Sequence, residues 1–460
     1  MEFTENISIL LISLFFALFA FFKVGLGWNQ KRLNRFIAVY SVFLYATWFP
    51  PGALLLLAQG IYMHLVSPGI FRGKKGILGF SISLNLAILG FFKYYNFFVS
   101  NIFGVGHYSL ELILPLGISF YTFTIIGHFV DLNRRKTQPM ENIFESMLFV
   151  SFWPHLAAGP ILRSKNMFSS MHQRFSFTRK DLMLATTLIL WGITKKLLFA
   201  DNLGSYVNWN IGYGISEMSS VDALATVVGY SAQIYFDFSG YTDMAIGLAL
   251  LVGFRLPANF NYPYRAVSLG EFWERWHISL STWFRDYLYI PLGGSRVSKG
   301  RNSLNIMVVF LLSGLWHGAA WNFVIWGGLH GIVLVLEKRF SKLFDRIPVV
   351  LRYILTMSIV VIAWSYFRLS FSDANLILSK VFMIGNEVRF ITRQTPHHIL
   401  PLFIGVAFVS LDHLLQVYKV NRQGEIYLTE RKMNLLWVAA LFLLALFLSG
   451  HEQPYIYFQF

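Results

Sequence analysis

Cysteine is absent from all 460 residues. That removes disulfides, thiolate nucleophiles, palmitoylated-cysteine intermediates and every cysteine-ligated metal site. Charge is scarce as well. Asp, Glu, Lys and Arg together make up 13% of the chain, against about 25% in a soluble domain. No polar stretch is long enough for a separate soluble domain, and no Ser/Pro-rich linker, tandem repeat or low-complexity segment marks a boundary. Short, alternating apolar segments are missing, which argues against a transmembrane β-barrel. There is no Walker loop, Gly293-Gly294 is too short to cradle a phosphate, and no Gly-x-Ser-x-Gly elbow occurs.

Apolar residues fill that space. The chain is 55% hydrophobic and 18% aromatic, and apolar runs of roughly twenty residues recur along it, each long enough to cross a bilayer. The reading is an all-α polytopic membrane protein, a single domain over residues 1–460, with about eleven spans plus re-entrant pieces. The formal net charge of +15 fits basic loops on the cytoplasmic side better than binding to nucleic acid. Many Trp and Tyr residues suit the two membrane interfaces.

The first run, about Ile7 to Phe22, has acidic Glu2 and Glu5 before it and Lys23, Lys31, Arg32 and Arg35 after it. It reads as a retained helix with its N-terminus outside. Further basic clusters, Arg72 to Lys75 and Arg134 to Lys136, mark cytoplasmic ends, and loops near 96–110, 201–220 and 371–397 read as external. The last of these is a candidate docking loop. Pro115-Leu116-Gly117 is expected to kink a span running from Leu112 to Val130. Residues 144–162 carry Pro154 and Pro160 between basic flanks and read as a broken, re-entrant segment. Gln233, Asp237 and Asp243 interrupt the apolar run 221–253, either as a polar network between helices or as a cavity wall. Gly314/Gly318 and Gly327/Gly331, each four apart, permit close helix contact.

The stretch 271–318 differs from the rest because it holds two histidines and several charges between apolar flanks. Ionisable groups at such a place are costly unless they line protein or water, so it is the candidate site. Wound as one helix, 271–287 puts Trp273, His277, Ser281 and Phe284 on one stripe, and Glu271 four residues before Arg275 favours an ion pair. His317 lies in an apolar run with Gly314 and Gly318 beside it. A neutral imidazole there could take a proton from an alcohol, although a lone histidine in a helix is more often structural. A zinc ion held by His277, His317 and a third ligand is a weak alternative.

At these residues the chain resembles the membrane-bound O-acyltransferase (MBOAT) family, in its bacterial branch of alginate O-acetylation and D-alanyl transfer proteins. The passages that carry the likeness are Phe272-Trp273-Glu274-Arg275-Trp276-His277-Ile278-Ser279-Leu280-Ser281, Trp283-Phe284-Arg285-Asp286-Tyr287, Gly314-Leu315-Trp316-His317-Gly318 and the tail Tyr455-Ile456-Tyr457-Phe458-Gln459-Phe460. Pro115 to Tyr121 and Tyr235 to Tyr241 agree as well. The resemblance implies a ring of helices around a central funnel or tunnel, with His317 as the catalytic histidine and His277 as the second functional position. Trp273, Ser281, Arg285, Asp286, Trp316, Gln233, Asp237 and Tyr241 are the substrate-binding candidates.

The expected reaction takes an acyl group, acetyl above all, from a cytoplasmic thioester such as acetyl-CoA, with no metal. The group passes through the inner membrane for O-acetylation of an extracytoplasmic polysaccharide by a partner acetyltransferase. D-alanyl transfer from an acyl carrier protein to teichoic acid is the alternative within the family. A polysaccharide transporter or exporter subunit is the alternative outside it.

Overall fold

The computed structural model describes residues 6–173, 178–382, 405, 407, 417–421, 424–428, 433–448 and 453–456. The expected span near 398–417, most of loop 371–397 and the tail from Tyr457 lie outside the described residues. Packing divides the chain into two compact units, Met1–Ile189 with Met244–Pro257, and Leu190–Asp243 with Ala258–Phe460.

The first unit holds α1 (Asn6–Ala20), α2 (Gln30–Trp48), α3 (Pro50–Phe71), α4 (Ile77–Phe97), α5 (Ile118–Asn133), α6 (Ile143–Ser151), α7 (Trp153–Leu156), α8 (Ser164–His172) and most of α9 (Arg179–Thr194). The second holds α10 (Asp201–Tyr213), most of α11 (Ser220–Leu251), α12 (Leu269–Arg275), α13 (Ile278–Phe284), α14 (Lys299–His317), α15 (Trp321–Arg339), α16 (Ser341–Phe344), α17 (Val349–Arg368) and α18 (Phe371–Phe382). A two-stranded antiparallel ribbon, β1 (Tyr418–Val420) and β2 (Ile426–Leu428), and α19 (Met433–Leu448) complete it. Among the described residues, five helical stretches are long and apolar enough to cross a membrane. The protein is therefore an all-α multi-pass membrane protein.

Several expected boundaries move. Pro115-Leu116-Gly117 does not kink a span but precedes one. The helix begins at Ile118, after Gly117 adopts φ 72° with its Cα so close to the Leu156 carbonyl that a Cβ would lie 2.2 Å from the oxygen. Only glycine fits there. Segment 144–162 is broken as expected, because Phe152 leaves helical geometry between α6 and α7 and both pieces are buried. The expected loop 201–220 is mostly helix, since α9 runs on into α10 to make one stretch, Arg179–Tyr213. Nor do polar residues interrupt the run 221–253. It is a single 32-residue helix.

The polar residues of α11 survive because lysines from the junction of α9 and α10 meet them. Lys195 Nζ lies 2.8 Å from Asp243, and Lys196 Nζ lies 2.8 Å from Asp201 and 3.0 Å from Asp237. Every one of these side chains is buried. The chain end is drawn into the same cluster: the Ile456 N–H donates to Asp237 at 2.7 Å, Lys196 donates to the Gln453 carbonyl, and the Tyr455 ring sits 4.0 Å under the ammonium. Gly240 lets α11 approach the backbone here, since a Cβ would fall 2.9 Å from the Gly192 carbonyl oxygen. Removing one partner of a buried pair leaves an uncompensated charge and costs about 3–5 kcal/mol. Lys196→Met is expected to lower the melting temperature markedly and to expose the C-terminal segment to protease, whereas Asp237→Asn has a smaller effect; thermal unfolding in detergent with limited proteolysis checks both.

Candidate active site

The continuous helix expected over 271–287 does not form. The chain leaves helical geometry at Trp276, turns through His277 in the left-handed region (φ 43°), and starts again as α13. A non-glycine residue there is strained, and the strain is held by the segment just before α12. The Asn261 N–H donates to the Arg275 carbonyl (2.9 Å), and the Ile278 N–H donates to the Asn259 carbonyl (2.9 Å), so the backbone groups freed by the break find partners. The Asn259 side-chain oxygen then accepts from the Ser279 N–H (3.2 Å) and the Ser279 hydroxyl (2.8 Å), and His277 Nδ1 stands 3.1 Å from it. Because that oxygen can only accept, Nδ1 carries the ring proton, and the neutral imidazole presents its lone pair at Nε2. Trp273, His277 and Ser281 thus do not form one stripe. His277 sits at a corner instead.

The expected Glu271–Arg275 pair does form, at 2.7 Å. Burial would raise the Glu271 carboxyl, but the Val267 N–H and Arg275 outweigh it and hold the group below the ordinary carboxylate range.

His317 is not in mid-helix either. It is the last residue of α14, and Gly318 is extended beyond it. The expected close glycine packing of α14 on α15 is present and holds it in place. A Cβ on Gly314 would lie 2.2 Å from the Phe323 carbonyl oxygen, and one on Gly327 would lie 2.2 Å from that of Phe310. Around the His317 ring stand Trp316 (4.9 Å between centroids), Trp326 (5.1 Å) and Phe367 (5.1 Å), all edge-on. The His277 ring lies 6.3 Å away, and both histidines are buried.

A cleft of about 480 Å³ lies between α12–α13 and α14; Ile278, next in the chain to His277, lines it, and neither histidine does. Trp273, Ser281 and Arg285 line it, with Phe310 and Ser313 on the α14 side. Its wall is mostly apolar, with the half-exposed Arg285 guanidinium, which Asp286 pairs at 2.8 Å. Trp316 faces His277 at 5.9 Å. Of the sequence-derived candidates, Trp316 touches both histidines, Trp273, Ser281 and Arg285 line the cleft, and Asp286 holds Arg285. Gln233, Asp237 and Tyr241 are placed differently. Asp237 holds Lys196 and Ile456, Tyr241 packs edge-on against Tyr455 (5.3 Å), and Gln233 crowds Gly204.

Two residues near the site escape a reading of motifs. Asn259 is 18 positions from His277, and nothing local signals the contact. His330 is buried as well, and its Nδ1 accepts from the Trp273 indole N–H at 3.4 Å. Its place in an apolar helix, beside glycines at 327, 328 and 331, was the available signal. One cluster with metal-ligand chemistry occurs among the described residues, Glu141, Glu145 and His172, and it lies in the other unit. Lys31 already pairs Glu141 at 3.1 Å and Glu145 accepts from the Glu141 N–H, so it reads as an ion-pair and capping cluster.

A neutral imidazole can take a proton from an alcohol and return it to a leaving group. The chain belongs to the membrane-bound O-acyltransferase family, whose model matches residues 132–379. It is 38% identical over 371 residues to the probable alginate O-acetylase AlgI of Pseudomonas aeruginosa, covering 76% of this chain and 70% of that protein. Against the probable alginate O-acetylase AlgI of Pseudomonas putida it is 34% identical, covering 96% and 98%. The peptidoglycan O-acetyltransferase of Helicobacter pylori is 34% identical, covering 79% and 78%. Teichoic acid D-alanyltransferases match about half of the chain. The protein is an O-acyltransferase of the membrane.

If Asn259 fixes the His277 tautomer, Asn259→Leu should cut acyl-transfer turnover by about tenfold or more, as loss of an orienting partner does elsewhere. Asn259→Asp, which still accepts from Nδ1, should retain most of it; steady-state turnover of the purified variants, with matched thermal melts, makes the comparison.

Proposed function

We propose that the protein takes an acetyl group from a thioester, acetyl-CoA in the first instance, and passes it to a hydroxyl for O-acetylation of a cell-envelope polysaccharide. The observation that carries this reading is the buried His277–His317 pair, 6.3 Å apart at the ring centroids; the cleft lined by Trp273, Ser281 and Arg285, which Trp273 and Trp326 connect to His317 by ring contacts, supports it. The pantetheine end of the donor occupies the cleft, and Arg285 at its margin meets the phosphates of CoA. Asp286 holds that guanidinium. Trp316 packs on the reacting groups beside His277.

In the proposed step, His317 takes the proton of the acceptor hydroxyl as its oxygen attacks the thioester carbonyl. A carbon–oxygen bond forms, the carbon–sulfur bond breaks, and the departing thiolate recovers the proton from the imidazolium. His277 positions the reacting groups. With its lone pair at Nε2, it suits a donor such as the hydroxyl. Gln233, Asp237 and Tyr241 contribute through the ion cluster that fixes α11 and the chain end. A partner acetyltransferase outside the membrane receives the group and completes transfer to the glycan, and the protein resides in the bacterial inner membrane. The broad identity to alginate and peptidoglycan O-acetylases favours acetyl over D-alanyl, for which a carrier protein would supply the thioester.

Purified protein given labelled acetyl-CoA, with and without candidate partner proteins, tests this reading. His317→Ala is expected to abolish label transfer, a loss of at least about a thousandfold for a removed acid–base group acting with its neighbours, with the melting temperature kept. Substantial retained transfer would refute the role given to His317, and persistence of polysaccharide flux without both histidines would favour a transporter.

A further inference from the structure

We infer that Trp273, held in place by His330, sets the size of the acyl group that reaches His317. This rests on the reading that the cleft takes the thioester end of the donor. Trp273 forms part of the cleft wall and is itself buried. Behind it the rings are continuous. The Trp273 indole meets Phe310 at 5.3 Å, Trp326 at 5.6 Å and His330 at 5.1 Å, and the Trp326 indole meets His317 at 5.1 Å. Two indoles therefore link the cleft wall to the His317 imidazole. An acyl chain that runs from the cleft toward His317 meets the Trp273 indole first.

Neither face of this wall yields easily. The backbones of α14 and α15 touch at Gly314 and Gly327, so the helices carrying Phe310 and Trp326 cannot separate without losing the contact. The indole is also tethered, because its N–H donates to His330 Nδ1. His330 is fully buried, and rotating the indole away would leave both the indole N–H and Nδ1 without partners in an apolar place. A phenylalanine or leucine at 330 would fill space but could not hold the ring. Attraction to an apolar pocket favours added methylenes, so a preference for the short acyl group needs a wall that excludes the longer one.

The test compares acetyl-, butyryl- and octanoyl-CoA consumption by the full chain and by Trp273→Ala, His330→Phe and Ile354→Ala, the last on the outward face of α17. The native protein should prefer acetyl over octanoyl by at least about a hundredfold. Trp273→Ala should reduce that preference at least about tenfold through a gained octanoyl rate, His330→Phe should move it the same way, and Ile354→Ala should leave it unchanged. An unaltered preference in Trp273→Ala and His330→Phe, with acetyl turnover retained, overturns the inference. A second readout is independent of acyl transfer. In this cysteine-free chain, Phe367→Cys places one thiol against His317, and methanethiosulfonate reagents of increasing alkyl length report access to it. Trp273→Ala should raise its reaction with the longer reagents by about tenfold or more. Equal rates would refute the wall even if no thioester were consumed, an outcome that would by itself overturn only the proposed function.

Discussion

The contact between the Asn259 side chain and the turn at His277 is the constraint on which the site depends. A chain that breaks its helix inside an apolar interior must find new partners for every freed backbone group. Here the segment 258–261 supplies them, and one carboxamide oxygen serves both the start of α13 and the His277 ring. The same contact that makes the break tolerable fixes which ring nitrogen holds the proton. The turn of the backbone and the orientation of the ring are thus coupled through one acceptor.

A second constraint works at the other side of the pair. His317 ends its helix, with the Gly318 N–H bonded back to the Gly314 carbonyl, where glycines bring two backbones together. Aromatic edges close around it. The buried lysine–aspartate cluster plays the corresponding part for α11 and the chain end, keeping a polar helix inside the protein by neutralising each carboxylate locally. Removing one partner of such a pair is costly because it leaves the other charge buried and uncompensated.

Much of this was legible in the residues, and the exceptions share a cause. The four-residue spacings Gly314/Gly318 and Gly327/Gly331 signal a close helix contact, Glu271 and Arg275 signal their pair, and Phe152-Trp153-Pro154 signals the break between α6 and α7, because each depends on neighbours along the chain. The family likeness marks His277 and His317 on the same local grounds. What could not be read depends on distant partners. Lys195 and Lys196 meet Asp243 and Asp237 across 48 and 41 positions, so a polar stretch that looks like an interrupted span is a whole helix. Periodicity favours one helix over 271–287, and only Asn259, far back in the chain, turns it at His277. Pro115 reads as a kink until the carbonyl of Leu156 is seen against Gly117.

The most direct measurement is an experimental structure of the protein with a non-hydrolysable acetyl-CoA analogue bound. The account predicts pantetheine density in the cleft beside Ser281 and Arg285, with the carbonyl carbon close enough to the histidine pair for a hydroxyl to sit between them, about 3–3.5 Å from each reacting atom. Density that places the acyl group away from both imidazoles, with the cleft unoccupied, would contradict it.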